Sequence, residues 1–260
     1  MVKDFIFVKY SKNLTTRLDK KGLSTILKKH TELFAKSENK FLKGISPNFR
    51  KEIIFNLENY KDDLLKLGLT TGLMAKALQN GFTAESEKPI VLQGLLVSRD
   101  NKIVFGLRNK PKFREKLPDE KNDFKIMLCP AGYATFNKDG SLIKPFYKEL
   151  EEELGLREKD IDKIEIFGHN NDIGFTEGIR LTYIVFANLE FNEIKKRWKK
   201  ADHSWEYIEL IEIDFQEKTL ADMIEAKDLS KYSKKARGIV YSSVEPPIIY
   251  IIKSNYFKKF

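Results

Sequence analysis

The stretch "EKPIVLQGLLVSRDNKIVFGLRNK", residues 87–110, is the feature that most constrains the fold of this chain. Two runs rich in Val, Ile and Leu flank Asp100-Asn101, a pair that favours a tight turn, so residues 90–108 read as a β-hairpin. A third strand fits "DFKIMLC", residues 123–129, and ends in the turn-rich loop "PAGYATFNKDGS". That loop leads into a helical segment with Leu142, Phe146, Leu150 and Leu154 at i, i+4, i+8 and i+12. Gly155 is placed to end it. Further strands are expected near "KIEIFGH", "RLTYIVFANLEF" and "YIELIEID", and helices around 217–226 and 231–243. The order of strands and helices predicts an α+β fold, an α/β/α sandwich on a mixed sheet, over residues 89–260.

Residues 1–88 form a separate region by pattern, expected to be mainly helical with one short strand at "FIFVKY". Leu23, Ile26, Leu27, Leu33 and Phe34 recur at helical spacing. Ser46-Pro47 resembles a helix start, with Ile53, Ile54, Leu57, Leu64 and Leu65 following and Gly68 as a stop. A shorter helix fits Thr71 to Gly81. This region also carries most of the excess of positive over negative charge in a chain whose formal net charge is +9. Its lysines are spread out and not clustered with aromatics, which favours solvated helix faces over a nucleic-acid surface, with RNA the less favoured partner.

With 42% hydrophobic residues the 260-residue chain can fill a core. No apolar run reaches the roughly 18–20 residues that span a bilayer, and "MVKDFIFVKY" lacks the apolar core of a secretory signal, so a cytoplasmic protein is expected. The single cysteine, Cys129, excludes an internal disulfide framework and reads as a buried structural thiol. Phe257, Phe260, Trp198 and Trp205 either pack internally or form a homodimer contact.

Chemistry concentrates in "PFYKELEEELGL", residues 145–156. Glu149, Glu152 and Glu153, at i, i+3 and i+4, share one helix face, while Glu151 points elsewhere. Like charges at that spacing cost a helix roughly 0.2–0.5 kcal/mol per pair. Lys148, four residues before Glu152, has the weaker orientation for an ion pair and relieves little of this. Two readings of the residues stand: a surface helix rich in glutamate, or a carboxylate face neutralised by a hard divalent cation such as Mg²⁺, which prefers oxygen ligands.

"KELEEELGL", Lys148 to Leu156, resembles the second half of the Nudix box, Arg-Glu-U-x-Glu-Glu-x-Gly-U with U aliphatic, with lysine for arginine as the departure. "PAG", ending at Gly132, resembles the Pro-Gly-Gly that opens the box, and the hairpin ending in "GLRNK" resembles a Nudix strand pair with Arg108 at a basic position. The spacer from Gly132 to Lys148 is two residues longer than the family's and lacks its first glutamate. The long N-terminal segment, "DHSWEYIELIEI" and "SKKARGIVY" are similar to Nudix hydrolases that cleave UDP-sugars.

The resemblance implies hydrolysis of a nucleoside diphosphate linked to a group X, a nucleotide sugar of the UDP-glucose or ADP-ribose type, by a pyrophosphohydrolase. It implies Mg²⁺ or Mn²⁺ held by Glu149, Glu152, Glu153 and the carbonyl of Gly132, with Glu152 and Lys148 in the catalytic set. For the general base the candidates lie in "KKADHSWEYIELIEID", with Asp202, His203 and Glu206, of which Glu206 is preferred. Glu177 in "DIGFTEG" is a further candidate for the base, and Arg108, His169 in "GHNND" and Glu177 are candidate substrate contacts, "GHNND" reading nearly as well as a plain solvent loop. The alternative is a catalytically weak Nudix module that binds a nucleotide, RNA or a protein partner.

Overall fold

The computed structural model describes residues 7–9, 15–18, 26, 28–32, 48, 51–61, 64–79, 87–108, 125–171, 179–226, 232, 244–254 and 256–259. The chain divides into two compact units: one of residues 1–92, 132–146 and 169–181, the other of 93–131, 147–168 and 182–260. The architecture is α+β with mixed sheets, as the pattern of strands and helices predicts.

In the first unit, β1 (Phe7–Lys9) lies within the expected "FIFVKY" strand. The strands β2 (Thr15–Leu18), β3 (Ile53–Lys61) and β4 (Leu64–Thr71) form a three-stranded sheet in the order β2-β4-β3. β2 runs parallel to β4, and β3 antiparallel. The helix expected from Ser46-Pro47 to Gly68 is therefore corrected, since its second half is a pair of strands. The apolar residues fit either period, and the antiparallel pairing of β3 with β4, from Ile53 opposite Thr71 to Lys61 opposite Leu64, selects the strands. Gly68 does not stop a helix. It lies under Glu58, whose Oε1 would be 2.6 Å from an added Cβ, while the Glu58 carboxylate pairs with Lys66 at 2.8 Å. The free edge of β3 takes backbone bonds from the segment after Gly132: Phe55 N–H donates to the Ala134 carbonyl and Phe136 N–H to that of Ile53.

The helix α1 (Gly72–Gln79) matches the expected third helix, and the Thr71 hydroxyl caps it by accepting the Met74 N–H at 3.1 Å. Residues 28–32 are helical within the expected first helix; most of that segment lies outside the described residues.

β5 (Ile90–Val97), whose residues from Gln93 on belong to the second unit, and β6 (Lys102–Arg108) form the expected hairpin. Its turn closes through Asn101 at φ 58°, a conformation that asparagine tolerates better than most residues. β6 pairs with β5 only at Ile103 and Val104. From Phe105 to Arg108 its partner on that side is β7 (Lys125–Leu128). The hairpin thus splays, and the next strand fills the gap. β8 (Ala131–Tyr133) pairs with β5. With β9 (Ile161–Asn171), β10 (Ile179–Ala187) and β11 (Tyr207–Asp214) the sheet order is β9-β10-β5-β6-β11.

The acidic helix is α2 (Ile143–Leu154). Leu142, Phe146, Leu150 and Leu154 are 0–3% exposed, and burial of each contributes about 1.5–3 kcal/mol, several times the like-charge cost of the glutamates. Gly155 ends the helix at φ 68°, and the Leu156 N–H reaches back to the Leu150 carbonyl.

The strand expected through Phe191 stops at Ala187, and α3 (Phe191–Trp198) follows. Its Phe191, Ile194 and Trp198 are buried at helical spacing, and Glu190 and Glu193 cap its start reciprocally. α4 (Glu217–Ala226) lies where expected. The helix expected at 231–243 lies, apart from Tyr232, outside the described residues; α5 (Glu245–Lys253) follows, opening on Pro246-Pro247. Among the described residues no helix is long and apolar enough to cross a membrane. Trp198 is buried, and Phe257 packs on Phe215 with ring centroids 4.9 Å apart, so both are internal; Phe260 lies outside the described residues.

Candidate active site

The three carboxylates of α2 lie in three environments. Glu149 and Glu152 are half-buried, Glu153 is 1% exposed, and Glu151 is exposed and turned to Arg157, whose Nε is 3.0 Å from its Oε1. Glu151 is thus the bystander that the helix geometry predicts.

Glu153 is the most constrained. Its Oε2 accepts the Ala131 N–H at 3.0 Å and the Tyr207 O–H at 2.6 Å. Its Oε1 is buried and has no hydrogen-bond partner among the described residues. Burial, then the nearby charges of Glu206 and Glu149, push this carboxyl well above the ordinary range, against the two donors. Burial and Glu153 raise the Tyr207 phenol as well, so it remains protonated and keeps donating.

Strand pairing brings Tyr207 there. It opens β11 opposite Arg108 of β6, and the register slips between Tyr207 and Glu209, a bulge of the kind that re-aims side chains. Its ring lies over Gly106, where an added Cβ would be 2.4 Å from two ring carbons. The same turn places the Glu206 carboxylate 3.4 Å from the Arg108 guanidinium. Arg108, Glu206, Tyr207 and Glu153 therefore form one linked group within the second unit, and Glu206, the sequence candidate for a base, belongs to it.

Glu152 faces other partners. Lys148 Nζ lies 3.6 Å and His203 Nδ1 3.8 Å from its carboxylate oxygens, while its backbone carbonyl accepts the His203 N–H at 2.7 Å. With Glu153 turned toward Tyr207 and Glu152 toward Lys148 and His203, no group of three or more His, Cys, Asp or Glu side chains is gathered to hold a metal among the described residues. The donor chemistry nevertheless fits a hard cation: carboxylate oxygens, one of them buried and without a donor among the described residues.

The other candidates divide. Gly132 and His169 belong to the first unit. His169 is 8% exposed, meets the Tyr60 ring edge-on at 5.8 Å between centroids, and is pushed down by burial to about 4. It is therefore a neutral buried imidazole at pH 7, and not part of a solvent loop. Glu177 lies outside the described residues. Asp202 is exposed. Cys129 is fully buried, and burial followed by the charge of Glu153 holds its thiol well above the ordinary range, which removes it as a nucleophile.

Sequence reasoning missed Tyr207 and the Ala131 amide. The only local signal was adjacency, Tyr207 following the candidate Glu206 and Ala131 preceding the candidate Gly132. Their partner in each case is more than twenty positions away.

No protein family and no curated protein matches the sequence. Solved structures do match. A mutT/nudix family protein from Listeria innocua is similar at 14% identity and a TM-score of 0.41, over 66% of this chain and 98% of that one. A bifunctional NMN adenylyltransferase/ADP ribose pyrophosphatase from Francisella tularensis, complexed with AMP and a Mn ion, is similar at 12% identity and a TM-score of 0.36, over 67% of this chain. A further structure of that bifunctional protein gives 11% identity and a TM-score of 0.36 over 71% of this chain. The present chain spans 43% and 49% of the length of the chains in these two structures.

Proposed function

We propose that this protein is a metal-dependent hydrolase that cleaves the pyrophosphate bond of a nucleoside diphosphate linked to X, most simply a nucleotide sugar. The observation that carries this reading is the Glu153 carboxyl, buried with one oxygen unpartnered among the described residues, on the helix whose sequence resembles the Nudix box. Residues 89–260 are the hydrolase portion in this reading, and residues 1–88 an accessory region.

Glu149, Glu152 and Glu153, all in the second unit, would hold Mg²⁺ or Mn²⁺. When bound, the metal supplies charge neutralisation for the pyrophosphate and a lowered pKa for an attacking water. The remaining work falls to side chains. Glu206, beside Arg108, takes the proton of the attacking water; Arg108 offers a planar fork of donors to phosphate oxygens. Lys148 holds Glu152 and adds positive charge at the mouth of the helix face. Little covalent chemistry is asked of the protein, so positioning and charge stabilisation dominate.

The pairing of Glu152 with Lys148 and His203 favours a second reading, a module that binds a nucleotide without turning it over. A panel of nucleotide sugars with Mg²⁺ or Mn²⁺, assayed for released phosphate-containing product, separates the two. The hydrolase reading expects turnover that Glu152→Gln and Glu153→Gln abolish and Glu151→Gln leaves intact. It is overturned if wild type turns over nothing and both variants keep wild-type nucleotide binding and metal-dependent melting.

A further inference from the structure

Tyr207 lies outside the pattern that singled out the acidic helix, yet it makes the shortest contact recorded to Glu153, 2.6 Å from its hydroxyl to Oε2. The Ala131 N–H donates to the same oxygen at 3.0 Å. Two donors on one oxygen fix the direction of the carboxylate, and the other oxygen, Oε1, is left buried without a partner among the described residues. The tyrosine is itself fixed: it is 4% exposed, its ring rests on Gly106, and an added Cβ there would come within 2.4 Å of it. The bulge at the start of β11 aims it.

We propose that Tyr207 is a positioning residue for a divalent cation at Glu153: by saturating Oε2 it presents Oε1 to the cation in a single orientation. This rests on the metal-dependent reading above. Groups that orient a metal-ligating carboxylate typically govern 10–100-fold in metal affinity. Tyr207→Phe keeps the ring on Gly106 and removes only the hydroxyl, leaving the Ala131 amide as the one donor and the carboxylate freer to rotate.

The test is a Mn²⁺ titration of the full chain, read as the loss of free-Mn²⁺ signal in electron paramagnetic resonance, for wild type, Tyr207→Phe, Gly106→Ala and Glu153→Gln. Cooperative melting without metal selects the variants that fold. Wild type is expected to bind Mn²⁺ and Glu153→Gln to lose binding. Tyr207→Phe is expected to bind about 10–100-fold more weakly, and Gly106→Ala, which displaces the ring but keeps the hydroxyl, more weakly than wild type. A folded Tyr207→Phe, or in its absence a folded Gly106→Ala, with wild-type Mn²⁺ affinity overturns the role of Tyr207 and leaves the metal reading standing. A wild-type protein that binds no Mn²⁺ overturns both.

Discussion

His203 donates its backbone N–H to the carbonyl of Glu152 at 2.7 Å, so the segment between α3 and β11 is tied to the last turn of the acidic helix. That carbonyl is one of the last four in the helix, which lack an intrahelical partner, and the bond satisfies it from outside. The segment it anchors leads directly to Glu206 and Tyr207.

The backbone bond matters more than the imidazole. His203→Pro removes the donor and should lower stability by about 1–3 kcal/mol. His203→Ala, which loses a half-exposed pairing at 3.8 Å and an edge-on contact with the exposed Trp205 ring, should cost under about 1 kcal/mol. Urea midpoints at constant slope measure both. Equal losses for the two would contradict the backbone role.

Glu153 makes the metal-free protein sensitive to base. Its carboxyl is raised in the fold by burial and by the charges of Glu206 and Glu149, against the donors Tyr207 and the Ala131 amide, and the Cys129 thiol, raised by burial, is raised by it in turn. An acid raised by folding is more costly to ionise there than in the unfolded chain, so stability falls as pH climbs above the ordinary value of 4.5. Glu153→Gln should flatten this decline and should melt higher than wild type at pH 8 without divalent cations. Melting curves from pH 5 to 8 in chelator give the answer, and an unchanged slope in the variant would remove Glu153 as its cause.

His169 acts in the opposite direction. Burial depresses its imidazole to about 4 from an ordinary 6.5, so the fold resists protonation that the unfolded chain accepts. Stability is therefore full above pH 6.5 and is lost as pH falls through that value toward 4, on the order of 3 kcal/mol at the limit. His169→Gln should lose less stability than wild type between pH 7 and pH 4.5 in urea titrations. Parallel losses would assign the acid sensitivity elsewhere.

Gly155 cannot be replaced cheaply. At φ 68° any side chain is strained by about 1–2 kcal/mol, and an added Cβ would also sit 3.0 Å from the Arg197 carbonyl. Gly155→Ala should lower stability by at least that strain, measured by urea unfolding. A neutral result would show that the end of α2 rearranges freely.

What was readable along the chain is what neighbouring residues settle among themselves. The β5–β6 hairpin, α2 with its apolar stripe, its glycine stop and the separation of Glu151 from the other glutamates all follow from periods of two or 3.6 and from turn chemistry, which act over a few residues. The same local logic failed at Ile53–Thr71, where both periods fit the apolar residues and only pairing between β3 and β4 selects the strand. It failed again at α3, where β-rich residues run straight into a helix start.

The site divides along the same line. The sequence alone determined which carboxylates share a helix face, because that depends only on the turn of the helix. Tertiary structure decided what each of them meets: β11 against β6 carries Tyr207 and Glu206 to Glu153, and His203 and Lys148 draw Glu152 away. A hydrogen bond between residues 54 positions apart has no spacing rule, since its geometry is set by the strand pairing and the packing of the ring on Gly106 rather than by the chain between them.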